Sequence, residues 1–135
     1  MTASSTRALI EQYYAAFNAG NHEAFFALLD DDVVHDVNQG GRERGKEAFR
    51  AFATRMSRAY KERIVDITLF VSSDGARAAA EYTVLGTYLE TDEGLPEAHG
   101  QTYELAGGAF FEVREGRVAR VTNYYNVEDW LRQVL

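Results

Sequence analysis

The hydrophobic period of this chain changes once, near residue 60, and that change limits the fold more than any single motif. Before it, apolar residues recur at three- and four-residue spacing: Leu9, Ile10, Tyr13, Tyr14 and Phe17, then Phe25, Phe26, Leu28 and Leu29, then Phe49, Phe52, Ala53, Met56 and Tyr60. After it, "RIVDITLFVSS", "ARAAAEYTVLGTYLE", "QTYELAGGAFFEVREG" and "RVARVTNYYN" alternate with period two, separated by the turn sequences "SDG", "TDEGLPEAHG" and "EG". Helices therefore come first and hairpin-connected strands follow.

Punctuation divides the helical part into three. Ser4, Ser5 and Thr6 offer N-caps for a first helix that stops at Gly20. Asn21 caps a second, closed by the acidic run Asp30 to Asp32, because acids oppose the macrodipole at a helix C-terminus. "VVHDVNQ" reads as a short strand, "GGRERG" as a glycine-rich turn, and Lys46 to Tyr60 as the third helix. "VEDWLRQVL" closes the chain as a short helix. The expected fold is α+β: a curved antiparallel sheet wrapped around three N-terminal helices. The connection over residues 91–100 is long for a hairpin and is a candidate lid.

With 135 residues, 46% of them hydrophobic, the chain has material for one core, so residues 1–135 form a single domain. It has no cysteine, which removes thiol chemistry and disulfides, and a cytoplasmic protein is the expectation. No run of about 18 apolar residues is present, so no membrane partner is expected. Fourteen Lys and Arg against twenty-one Asp and Glu give a net charge of −7, which argues against a nucleic-acid track. The basic residues between Lys46 and Arg63 interleave with apolar ones at helical spacing and read as a solvated helix face. His22, His35 and His99 have no metal-ligand spacing, and neither a Walker A loop nor a nucleophile elbow occurs. No metal and no cofactor are expected.

Several stretches in order, "YYAAFNAGNHEAFFALLDDDVVHD", the interval from Asp36 to Gly45 followed by "KEAFRAF", "HGQTYELAGGAFFEV" and "RVTNYYNVEDW", resemble the nuclear transport factor two-like superfamily. Within it the resemblance is to ketosteroid isomerases, SnoaL-like polyketide cyclases and ketosteroid-isomerase-related proteins, and it covers essentially the whole chain. It implies a cystatin-like α+β roll with a cone-shaped pocket and a sheet-to-sheet homodimer. It also implies a catalytic aspartate at Asp36, abstracting a proton α to a carbonyl of a small apolar substrate, and a hydrogen-bonding tyrosine at Tyr13, with Tyr14 adjacent. The isomerases' second donor, a protonated acid, falls on Gly108 or Ala109, and the cyclase base falls on Asn126, so neither is matched.

Strand alternation then sorts the pocket. It puts Val34, Asp36 and Asn38 on one face of their strand and Val33, His35 and Val37 on the other. With the resemblance fixing Asp36 inward, His35 points away. The same alternation, with the faces chosen by resemblance, turns Ala80, Tyr82, Val84, Gly86 and Tyr88 inward, and Val121, Asn123 and Tyr125 likewise. Gln101 and Tyr103 are candidate replacement donors. Outward Leu85 with Phe70 or Leu69 leaves an apolar sheet face, which fits the homodimer. Two functions are open at this level: a cofactor-independent isomerase or cyclase, and a non-catalytic dimeric small-ligand-binding protein; a protein–protein adaptor is a third.

Overall fold

A computed structural model describes residues 1–38 and 40–135; Gln39, the last residue of the expected first strand, lies outside them. The order of elements is α1 (Ala3–Ala19), α2 (His22–Ala27), β1 (Leu29–Asp36), β2 (Arg42–Arg44), α3 (Lys46–Ala59), β3 (Tyr60–Val71), β4 (Arg77–Tyr88), β5 (Thr102–Arg114), β6 (Arg117–Tyr125) and α4 (Val127–Val134). The six strands form one curved sheet in the order β2-β1-β6-β5-β4-β3. All neighbours are antiparallel except β1 and β6, which run parallel. The helices cover one face, as the change of period requires.

Local chemistry fixes the helix ends, with small departures from the expected ones. α1 starts earlier than Ser4, because Thr2 caps it in a reciprocal box with Ser5. Thr6 is buried instead, its hydroxyl donating to the Gly75 carbonyl at 2.6 Å. Gly20 ends the helix in the left-handed region at φ 67°. α2 stops at Ala27, so Asp30–Asp32 lie beyond its last turn as expected, and they form part of β1. "GGRERG" also holds more than a turn, since Arg42–Arg44 pairs with β1 as a short edge strand. At the opposite edge Asn18 of α1 occupies both free backbone groups of Ile64, donating to its carbonyl and accepting from its N–H at 2.8 Å each. That covers part of an otherwise open strand edge.

The pairing of β1 with β6 reverses the faces expected for β1. His35 stands beside Val121 and Asp36 beside Thr122. Val121 is wholly buried under the helices, so Val33 and His35 are buried with it, while Val34 and Asp36 turn to the open face. There the Asp36 carboxylate accepts from Arg42 Nε at 2.6 Å, Arg120 Nε at 3.0 Å and the Thr122 hydroxyl at 2.7 Å. Arg120 continues to Glu112 at 3.3 Å. The Arg42 bond, seconded by Thr122 and Arg120, holds the Asp36 carboxyl well below the usual carboxylate range.

β4 alternates as expected: Ala78, Ala80, Tyr82, Val84, Gly86 and Tyr88 are all turned under the helices and buried. Two glycines in this layer let tyrosine rings lie flat against the sheet. Gly86 sits between Glu62 and Tyr103, and a Cβ there would collide with the Tyr103 ring. Gly107 sits between Tyr82 and Tyr125, and a Cβ there would lie 2.6 Å from the Tyr82 ring.

Two outcomes follow from these contacts. Gly86→Ala should lower stability by about 1–3 kcal/mol, the usual cost of overpacking, measured by urea unfolding. Asp36→Asn, which removes the ionised acceptor of four bonds from three partners, should cost about 1–3 kcal/mol at pH 7. Because the folded-state pKa of Asp36 is depressed, its contribution is present above the unfolded value near 3.9 and is lost as pH falls below it. Wild type should lose stability on acidification below about pH 4, and that loss should be smaller in Asp36→Asn.

Candidate functional site

The residues able to meet a ligand on the helix-covered face come from α1, the turn after β1, and strands β3 to β6. Tyr14 is 6% exposed, and its hydroxyl is buried with no hydrogen-bond partner among the described residues. Its ring centre is 5.8 Å from that of Tyr82. Burial pushes the Tyr14 phenol well above its ordinary pKa and the Tyr82 phenol up to about 12, so both stay protonated donors at neutral pH. The Tyr82 hydroxyl is 3.5 Å from Asn123 Oδ1 and 3.5 Å from the Gly108 carbonyl oxygen, both at the outer limit of a hydrogen bond. Asn38 accepts from the Tyr125 N–H at 3.2 Å, and its buried Nδ2 has no partner among the described residues.

Beside this group lies a carboxylate that alternation alone could have flagged. In "YKERIVDI", Tyr60, Glu62 and Ile64 are in phase, and Ile64 is core; an acid in phase with core positions is the signal. Glu62 stands at the exposed rim of the edge strand, but its Oε2 accepts from the buried Tyr103 hydroxyl at 2.5 Å, across the gap left by Gly86. Crowding raises the Glu62 pKa, and the Tyr103 bond opposes that rise. A second acid, Asp92, accepts from the Tyr60 hydroxyl at 2.9 Å. Tyr60, Tyr88 and Tyr103 all pack on Trp130 of α4, with ring centres 5.1–6.1 Å apart, which closes this end of the layer with aromatic rings.

The expected site residues divide on inspection. Tyr82, Val84 and Tyr103 are buried under the helices, Asn123 is half-buried on the same side beside Tyr82, and Tyr125 is exposed at the strand end, where the Asn38 side chain accepts from its N–H. Val34 and Asp36 do not, for the pairing reason above, and Asp36 is held ionised by arginines instead of being raised in an apolar surrounding. Tyr13 is core, with Tyr14, Phe25 and Phe111 around its ring. Tyr88 is fully buried, and its hydroxyl donates to the Pro96 carbonyl at 2.6 Å and accepts from the Asp92 N–H at 2.9 Å. Gln101 donates to the carbonyls of Glu97 and Val134 and accepts from the His99 N–H. Both residues therefore staple the 91–100 connection to the strand ends, which is the opposite of a free lid. Asn126 caps α4, accepting from the N–H groups of Glu128 and Asp129.

His35, expected to point away, is under the helices. Its ring stacks on Phe49 at 4.2 Å and meets Phe52 edge-on at 4.7 Å, and its Nδ1 is 3.4 Å from Glu43. Burial lowers its pKa, with Glu43 pulling the other way. No group of three or more metal-ligating side chains is found among the described residues. No helix among them is long and apolar enough to cross a membrane. Two shallow, open depressions of about 480 and 320 Å³ lie over the β4–β5 and β3–β4–β5 regions, bordered by Leu85, Thr87 and Glu104 and by Phe70, Ala79 and Phe110.

Comparison with known proteins agrees with this architecture. A candidate polyketide cyclase from Pseudomonas putida is 57% identical over 100% of this chain and 99% of its own, with a TM-score of 0.95. A second from Silicibacter is 50% identical over 100% and 98%, TM-score 0.95, and a third from Xanthomonas campestris is 50% identical over 98% of each, TM-score 0.96. An NTF2-like protein from Burkholderia xenovorans, 17% identical over 100% and 99% with a TM-score of 0.76, shares the fold. No curated protein matches the chain by sequence. The profile of the SnoaL-like domain matches residues 10–121, most of the chain, and the protein belongs to the SnoaL-like family within the NTF2-like fold.

Proposed function

We propose that this protein is a cofactor-independent enzyme of the isomerase or cyclase type, which removes a proton α to a carbonyl of a small, largely apolar molecule. The observation that carries the reading is the Tyr14 hydroxyl, buried and without a hydrogen-bond partner among the described residues. A hydroxyl in that condition costs about 1–3 kcal/mol unless something bonds to it, and a ligand oxygen is the natural acceptor. Enolisation needs donors held in place where negative charge develops on that oxygen. Tyr14, with the Asn38 amide and the Tyr82 hydroxyl, supplies groups of this kind, while Val84, Asn123, Tyr103 and Tyr125 are the remaining ligand contacts. Identities of 50–57% to candidate polyketide cyclases support the same reaction class.

The open sheet face supports a homodimer. Phe70, Leu85, Phe110 and Tyr124 are 40–57% exposed on it, and Phe110 and Tyr124 pack edge-on at 5.8 Å. A second copy covering this face would remove the exposed apolar patch.

2-Tetralone, an enolisable ketone, and 2-naphthol, which has the shape of its enol, serve as probes. Wild type should accelerate deuterium exchange at C1 of 2-tetralone in D2O, followed by proton NMR. Tyr14→Phe should slow that exchange about 100-fold, the effect of removing one oxyanion donor, with stability unchanged or higher because no partner among the described residues loses a bond. Binding of 2-naphthol by wild type without exchange would instead identify a non-catalytic ligand-binding protein. Sedimentation at micromolar concentration should show a dimer of the 15.2 kDa chain, and Phe110→Lys should return it to monomer.

A further inference from the structure

A proton-abstracting site needs a base, and the acid that the family pattern offers, Asp36, faces away from the tyrosine cluster and is bound by two arginines. We propose that Glu62 is the base of this site and that Tyr103 is the residue that positions it. This rests on the function proposed above and supplies the group that it lacks.

Three observations converge on Glu62. First, it belongs to the layer under the helices: it pairs with Gly86, which pairs with Tyr103, and the three form one row across β3, β4 and β5. Second, that row is built for the contact. A strand-interior glycine weakens a sheet, yet here its missing side chain lets the Tyr103 ring lie across β4 so that its hydroxyl reaches the Glu62 carboxylate at 2.5 Å. The bond is of the short, charge-assisted kind that fixes a carboxylate in place. It occupies Oε2, and Oε1 makes no hydrogen bond to the described residues. Third, Glu62 shares the helix-covered face with the Tyr82 ring and with the Tyr14 hydroxyl, which is buried and has no partner among the described residues. A substrate that lies along this face from Tyr14 toward the Gly86 row would present its α carbon to Glu62.

The other acids under the helices fit less well. Asp92 is spent on the Tyr60 hydroxyl in the stapled loop. His35 and Glu43 stand at the Val121 row, where His35 is 3% exposed and walled by Phe49 and Phe52.

In the reaction, the Glu62 carboxylate takes the α proton. The C–H electron pair forms the new C=C bond, and the carbonyl π pair moves onto oxygen, where Tyr14 and Asn38 donate to it. For an isomerisation the enolate collapses and Glu62 returns the proton to a different carbon. For a cyclisation the enolate carbon bonds to a second carbonyl of the same molecule, and Glu62 protonates the alkoxide that results. Neither route consumes an oxidant or reductant.

Three measurements test the assignment. Glu62→Gln should lower 2-tetralone exchange by about 100-fold or more, the usual contribution of a general base, while binding 2-naphthol within about threefold of wild type, which also shows that the variant is folded. Glu62→Asp should restore part of the exchange. The titratable groups around Glu62 are Tyr103 on β5, Tyr82 on β4, Tyr125 on β6 and, across Tyr60, Asp92. Of these the Tyr103 bond favours the ionised carboxylate, so Tyr103→Phe should move the acidic limb of the pH–rate profile upward. Exchange by Glu62→Gln within about threefold of wild type, or an acidic limb that stays put in Tyr103→Phe, overturns the inference and leaves the function standing. Wild type that neither binds 2-naphthol nor exchanges 2-tetralone overturns both.

Discussion

The parallel ladder between β1 and β6 is the constraint on which the rest depends. Hairpins alone would leave β3 to β6 as a four-stranded meander, with its β6 edge open. Pairing β1 beside β6 closes that edge, brings the first fifty residues over one face, and sets Val121 against His35 and Thr122 against Asp36. Once Val121 is core, the side of the sheet taken by every β1 side chain follows, since a strand cannot present adjacent residues to the same face without a bulge. β1 does carry a register shift, but between Leu29 and Val34, upstream of the residues in question.

The electrostatics sort with that choice. Asp36 goes where Arg42, Arg120 and Thr122 can satisfy an ionised carboxylate, and the ring of His35 goes between phenylalanines with its charge suppressed by burial. Under the helices the acids are Glu62 near the rim, with Asp92 beside it, and Glu43 against His35, and the remaining polarity is carried mainly by phenols and amides. Such a layer suits a neutral oxygen-bearing ligand better than a multiply charged anion, because the groups nearest the cluster are donors beside acids, not free cations.

The glycines at 86 and 107 show how a sheet can hold aromatic rings without a groove being cut for them. Each sits between two residues of a three-strand row and gives its space to a tyrosine from the next strand. The result is placement of two hydroxyls by the backbone of β4 and β5, which pair without interruption from Arg77 with Glu112 to Thr87 with Thr102. Hydrogen bonds from Tyr60, Tyr88 and Gln101 to Asp92, Pro96 and Glu97 tie the 91–100 connection to the rim in the same way.

The sequence by itself determined the order of the helices and the long strands, the inward set of β4, and the family, because hydrophobic period, turn residues and short motifs are properties of neighbours along the chain. It could also have flagged Glu62, in phase with Ile64. What only the tertiary structure decided was which face of β1 is the inside, that the Tyr14 hydroxyl is buried with no partner among the described residues, and that Tyr88, Gln101 and Asn126 are structural. The reason is the same in each case: alternation assigns residues to two faces but does not label them. The label comes from a partner eighty or more positions away, Val121 for His35 and Arg120 for Asp36. Likewise, whether a buried polar group is satisfied depends on the carbonyl or hydroxyl that packing brings to it, such as Pro96 for Tyr88 and none among the described residues for Tyr14.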